Sequence, residues 1–136
     1  MQYWLIKTEP STWSWNDQVT KKTTLWDGVR NYQASNNLKA MKMGDHCFFY
    51  HSVSDRQIVG IVEVIRTYHP DPSDETGRFG MVEVKAVRAL KNPVSLDVIK
   101  NEPRLAHLSL VRQSRLSVMP IDKPAWTLIL QMGDTV

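Results

Sequence analysis

Two stretches in the middle of the chain restrict the fold most. From Gln57 to Thr67 the sequence carries Ile58, Val59, Ile61, Val62, Val64 and Ile65 with few charges. Apolar density on both parities is what a strand needs if it is buried on both faces or curled into a barrel. From Met81 to Leu90 the pattern first alternates, with Val82, Val84 and Ala86 set against Glu83 and Lys85. The phase then flips, leaving Val87 and Ala89 apolar and Arg88 polar. A one-residue slip is the mark of a β-bulge, and bulges bend sheets toward barrels. The segment between the two, His69 to Gly80, holds two prolines, two glycines and three acids, and reads as an exposed loop.

The rest of the chain supplies short elements. Tyr3 to Lys7 is an aromatic and β-branched run that predicts a strand, ended by Pro10. Ser11 can cap a helical turn through Trp15. Leu25 to Tyr32 contains Asp27-Gly28 and predicts an ordered loop. Asn31 can cap a helix over Tyr32 to Met41, with Leu38 and Met41 on one face and Gly44 as the stop. His46 to His51 is strand-like. Pro93 and Ser95 can open a short helix to Asn101, ended by Pro103. Arg104 to Arg115 is ambiguous, and Leu116 to Met119 fits a last strand. Asp122 and Pro124 begin a helix with Trp126, Ile129 and Leu130 at helical spacing and Gly133 as its end. Five or six short strands with helices of unequal length suit an α+β fold better than a βαβ repeat. The expectation is one folding unit over residues 1–136: a small, strongly curved sheet or β-barrel with helices packed outside.

Composition excludes several classes. A chain of 136 residues with 42% hydrophobic and 23% charged residues can build a core without staples. The single cysteine, Cys47, rules out an internal disulfide framework, and its apolar run makes it a core residue. The four histidines, His46, His51, His69 and His107, lack metal-ligand spacing, so no metal is expected. No Gly-rich phosphate loop or nucleophile elbow is present, and no cofactor is expected. Absence of a signal peptide and of an apolar run near the roughly 18 residues that span a bilayer predicts a soluble, cytoplasmic protein with no membrane partner. The net charge of +3 is unevenly placed. No acid lies between Asp27 and Asp45, where Arg30, Lys39 and Lys42 sit, nor between Glu102 and Asp122, where Arg104, Arg112 and Arg115 sit. If these windows share a face, that face is positive; otherwise they are ordinary solvated surface.

Aromatic usage points to a ligand. Four of the five tryptophans, Trp4, Trp13, Trp15 and Trp26, fall in the first 26 residues. Trp4 and Trp126 sit in regular apolar patterns and suit the core. Trp13, Trp15 and Trp26 lie in polar, turn-prone contexts, where an indole can either fill the core or stack on a flat heterocycle. Arg30, Asn31, Gln33, Asn36 and Asn37 crowd beside them, and amides carry the donor and acceptor that a base edge requires. Tyr50-His51-Ser52 ends a strand, where small barrels open onto pockets. Gln113, Ser114 and Arg115 form another polar knot, open to readings as a site or as turn and capping chemistry.

At these residues the chain resembles the EVE domain family. The resemblance rests on residues 3–11 (YWLIKTEPS), 26–38 (WDGVRNYQASNNL), 44–45 (GD), 49–52 (FYHS), 58–64 (IVGIVEV) and 112–118 (RQSRLSV), and runs from Tyr3 to about Leu130. It implies a PUA-like fold, a small β-barrel with flanking helices, related to the YTH readers of methylated RNA. It also implies a binding module for a modified base in DNA or RNA rather than an enzyme. The family pocket maps onto Trp26, Arg30 and Asn31, onto Tyr50, His51 and Ser52, and onto Gln113 and Ser114, with Lys7 on the rim. Trp13 joins them from the aromatic reading, and Lys39, Lys42, Arg112 and Arg115 are the cations expected to meet the nucleic-acid backbone. Ser35 stands where the family commonly has Arg, which predicts a weaker backbone contact and an intact stacking wall.

Two other classes stay open. Lys7, Thr8 and Glu9 offer an amine, a hydroxyl and a carboxylate, and on a strand Lys7 and Glu9 share a face. Such a pair could serve a small ASCH-type hydrolase acting on a modified base or nucleoside, or be a surface ion pair. A protein–protein adaptor would instead require a large exposed apolar patch.

Overall fold

The computed structural model describes residues 1–135. Its elements run β1 (Tyr3–Thr8), α1 (Trp15–Lys21), β2 (Thr23–Trp26), α2 (Tyr32–Ala40), β3 (His46–His51), β4 (Gln57–Pro70), β5 (Gly80–Ser95), α3 (Leu96–Lys100), a 3-10 turn (Pro103–Leu105), α4 (Ser109–Arg112), β6 (Val118–Ile121) and α5 (Lys123–Met132). The fold is α+β, with six strands in the order β2-β5-β4-β3-β1-β6. β1 and β3 pair in parallel, so the chain between them must cross over, and it does so through α1, β2 and α2. The β3-β4-β5 pairs are antiparallel.

The long β4–β5 ribbon supplies the curvature. Ile61 pairs with Arg88 and Val62 with Ala86, so Val87 is the extra residue. The phase flip in the sequence is therefore a bulge at Val87, as expected. Both strands run further than their apolar cores: β4 reaches Pro70 and β5 continues through Pro93 to Ser95. Ser95 is still a cap, accepting from the Val98 N–H, but the helix it opens starts at Leu96.

Two early elements depart from expectation. α1 begins after Ser14, not Ser11. The Ser14 hydroxyl accepts from the Asp17 N–H at 3.1 Å and the Asp17 carboxylate accepts from the Ser14 N–H at 2.9 Å, a reciprocal cap that Ser11 cannot form before the Trp13 turn. The stretch read as loop from Leu25 begins inside strand β2, whose pairing to Lys85–Val82 of β5 outweighs weak local signals at Leu25 and Trp26. α2 is capped by the Asn31 side chain accepting from the Ala34 N–H at 2.9 Å, as its sequence predicts.

The sheet curls, but it is not closed into a barrel. Among the described residues, β2 pairs only with β5 and β6 only with β1. Closure needs those edges to meet, and each is four residues long. Pro120 gives β6 no N–H at mid-strand, and Asn37 of α2 donates to the Val118 carbonyl at 2.7 Å, so a helix occupies that edge. Leu5, Ile6, Phe48, Phe49, Ile58, Ile61, Val82 and Met119 form the interior. Trp126 of α5 stacks on Phe48 at 3.8 Å and on Tyr3 at 4.5 Å, sealing the other face. Asp45 is buried and accepts from the Gln2 N–H, the Lys42 N–H and the Trp4 indole, which ties β1 to the turn after α2.

Candidate functional site

The gap in the curled sheet is a cleft of about 590 Å³. Lys7 and Thr8 of β1 line it together with Thr24, Leu25 and Trp26 of β2. These strands are four positions apart in the sheet, so a flat sheet would hold them about 19 Å apart; its coiling brings them to one cavity. The loop 27–31 and Trp13 complete the wall. Of the residues expected to bind a ligand, Lys7, Trp13, Trp26, Arg30 and Asn31 meet here.

The aromatic and amide side chains of the wall are held by identifiable contacts. Trp26 lies on a strand rather than a loop, is 8% exposed, and packs edge-on to Phe49 at 5.7 Å, with the cleft beside it. The Trp13 indole N–H donates to Gln18 Oε1 at 2.9 Å. Gln18 is fully buried and donates in turn to the Lys22 carbonyl, so the end of α1 sets the Trp13 ring. Lys21 stands 5.8 Å from the centre of that ring. Asn31 spends its Oδ1 as the α2 cap, leaving its NH2 group as the donor for the cleft. Thr24 Oγ1 is buried on this wall with no hydrogen-bond partner among the described residues, the kind of orphan that functional sites retain.

Asp71 organises the loop. Its carboxylate accepts from the Gly28 N–H at 2.9 Å, from Arg30 Nη1 at 3.2 Å, and from the Ser73 N–H and hydroxyl. Burial pushes this carboxyl up, but the Ser73, Gly28 and Arg30 hydrogen bonds outweigh it and hold it at about 2. Gly28 has a φ of 77°, which lets its N–H turn toward Asp71 without strain. Arg30 is therefore committed to Asp71, to Ser73 and to the Phe79 ring at 5.7 Å, and it frames the cleft instead of offering a free cation. The sequence signal for this brace is Asp71-Pro72-Ser73, a turn in which Asp bonds the backbone two residues on.

Other expected residues lie elsewhere. Tyr50, Ser52, Ser114 and Arg115 line a second cleft of about 740 Å³, which shares Lys7, Thr8 and Ser117 with the first. Lys7 donates from Nζ to the Ser114 carbonyl at 3.0 Å and lies 5.7 Å from the Tyr50 ring centre. Burial depresses the Lys7 ammonium below its ordinary value, and burial raises the Tyr50 phenol, with Arg56 opposing. His51 is buried and lines neither cleft: Nε2 accepts from the Trp15 N–H at 3.0 Å and Nδ1 faces Asp55. Gln113 caps α4 and also lines neither. Lys39 covers the Tyr68 ring, Arg112 donates to the Ala106 carbonyl, and Lys42 is exposed beyond α2; none reaches a cleft. Of the cations in the two acid-free windows, only Arg30 and Arg115 line these clefts. Ser35 is 1% exposed and bonded to the Tyr68 hydroxyl, so the side chain at this position faces inward and not toward a ligand backbone. Trp15 packs over Gly60 and edge-on to Phe49, half-buried against the core. Burial, then Asp45, raises the Cys47 thiol, which leaves it inert. Among the described residues no cluster of His, Cys, Asp or Glu could hold a metal ion, and no helix is long and apolar enough to cross a membrane.

A family model for the EVE domain matches residues 2–132. The chain belongs to the EVE domain family. It is 35% identical to rat thymocyte nuclear protein 1 over 97% of this chain and 74% of that protein. A protein from Agrobacterium tumefaciens, solved by crystallography, is 44% identical with a TM-score of 0.97, covering 99% of this chain and 94% of that one. Human THYN1, solved in complex with DNA containing 5-methylcytosine, is 30% identical with a TM-score of 0.92, covering 100% of this chain and 99% of that one. An ASCH protein from Zymomonas mobilis shares the fold at 10% identity and a TM-score of 0.60, covering 96% of this chain and 95% of that one.

Proposed function

We propose that this chain is a single EVE module, cytoplasmic and non-catalytic, that takes a modified nucleobase of DNA or RNA into the first cleft. The observation that carries the reading is the open cleft beside Trp13 and Trp26 in a chain so similar over its whole length to a protein solved with DNA containing 5-methylcytosine. The cleft's volume falls within the 300–1,000 Å³ typical of small-ligand sites. Its chemistry is two indoles for stacking, the Asn31 amide for the base edge, and the Thr24 hydroxyl awaiting a partner.

Energetics set what such a site can do. Extruding a base from a duplex costs a few kcal/mol. Stacking on one aromatic side chain returns about 1–3 kcal/mol, so edge hydrogen bonds are needed as well. A methyl group against an apolar wall adds about 0.8 kcal/mol, roughly a fourfold preference. The hydrolase alternative finds two of its three groups engaged, Lys7 donating to the Ser114 carbonyl and the Thr8 hydroxyl to the Trp13 carbonyl, while Glu9 stands beyond the end of β1.

The test is a titration of single-stranded oligonucleotides, with and without 5-methylcytosine, against wild type and Trp13→Ala. Modified strands should bind wild type about fourfold more tightly, and Trp13→Ala should lose about five- to a hundredfold. Equal affinity in all four combinations refutes the reading.

A further inference from the structure

The second cleft has a composition unlike the molecule around it. The chain as a whole has 17 Lys and Arg against 14 Asp and Glu. This cleft is lined by Lys7, Arg56, Lys100 and Arg115 against Glu9 alone. None of these four cations makes an ion pair among the described residues. Hydroxyls from Tyr50, Ser52, Ser114 and Ser117 stand among them. Cations interleaved with hydroxyl donors are the groups that contact phosphate oxygens in nucleic-acid binding.

The two clefts are continuous. Lys7, Thr8 and Ser117 line both, and the Lys7 N–H bonds the Ser117 carbonyl at 2.9 Å, so paired strand ends form the sill between them. Arg56 comes from the loop 52–56, whose backbone is left-handed at Val53 (φ 72°) and again at Arg56 (φ 46°). A β-branched residue there is an outlier, and such strain gathers at binding loops. Lys7, half-buried on the sill with its ammonium depressed by burial, gains a counter-charge from any anion that crosses.

We propose that the second cleft binds the phosphodiester backbone next to the base, so that the strand crosses the sill at Lys7. This rests on the reading that the base enters the first cleft. It assigns backbone contact to Arg56, Lys100 and Arg115 in place of Lys39, Lys42 and Arg112. It also makes the preferred ligand a polymer segment, not a free nucleoside.

The experiment compares 5-methyl-2′-deoxycytidine with single-stranded oligonucleotides of three and five residues centred on 5-methylcytosine or on unmodified cytosine. The proteins are wild type, the double variant Arg56→Gln/Arg115→Gln, and Lys39→Gln/Lys42→Gln as a control of equal charge. All four positions are exposed, and thermal melting verifies that the variants fold. The trinucleotide should bind at least tenfold more tightly than the nucleoside. With three phosphate contacts, the affinity of the five-residue strand should fall about twentyfold between about 50 and about 200 mM salt. Arg56→Gln/Arg115→Gln should flatten the logarithmic salt slope by about 1.4, at about 0.7 per contact, while the control leaves it unchanged. Equal losses in both double variants, or nucleoside binding as tight as oligonucleotide binding with no salt dependence, overturn the proposal. Identical affinity for modified and unmodified strands with the expected slope change would support this cleft while refuting the base reading, so the two failures are separable.

Discussion

Asp71 holds one wall of the first cleft with a single carboxylate, and its depressed value gives a pH signature. The folded carboxyl titrates at about 2 against an ordinary 3.8, so its stabilisation is complete above pH 4 and is lost as pH falls toward 2. Asp71→Asn should therefore cost about 2 kcal/mol at neutral pH in urea unfolding, and the gap to wild type should close between about pH 4 and about pH 2. The Thr24 hydroxyl makes the opposite prediction. Thr24→Val removes a buried, unpartnered polar atom at nearly constant shape, so the free protein should gain about 1 kcal/mol. Its affinity for a 5-methylcytosine strand should nevertheless fall several-fold, measured by titration; a stability loss would mean the hydroxyl already has a partner. Trp26→Ala is a poor probe by comparison, because the ring is nearly buried against Phe49 and its removal should cost about 3–5 kcal/mol in stability before any effect on binding.

Elements were legible where their signal is local. The Asn31 cap, the α2 helix, the β3 run and the Val87 bulge all follow from a few adjacent residues, and the structure has each of them. β2 was not legible, because four residues with Asp27-Gly28 behind them become a strand only by pairing with β5. The α1 start was misplaced from Ser14 to Ser11 because two serines compete and only the former has Asp17 three residues on. Close packing across elements was equally hidden. A Cβ on Gly60 would stand 2.5–2.6 Å from three atoms of the Trp15 ring, so β4 carries glycine there to let α1 approach. Gly60→Ala should cost about 1–3 kcal/mol as overpacking, seen as a lower melting temperature. It should also weaken strand binding, because Trp13 is set by the helix that Trp15 begins.

At the scale of the whole molecule, the site comes from a sheet that curls without closing. The alternating and bulged patterns foretold the curvature; the short edges, Pro120 and the α2 contact that stop closure are tertiary facts. Half of the expected ligand-binding set, Lys7, Trp13, Trp26, Arg30 and Asn31, shares the first cleft because the crossover from β1 to β3 folds over the opening. Tyr50, Ser52 and Ser114 fell on the far side of the sill, and His51 went inward to hold α1, distinctions that no spacing in the sequence records. The five tryptophans allow the central claim to be read directly from their indole N–H resonances while a 5-methylcytosine oligonucleotide is added. The account predicts that the Trp13 and Trp26 signals shift while those of Trp4 and Trp126 stay in place. Uniform movement of all five, or stationary Trp13 and Trp26 signals at saturating strand, would contradict it.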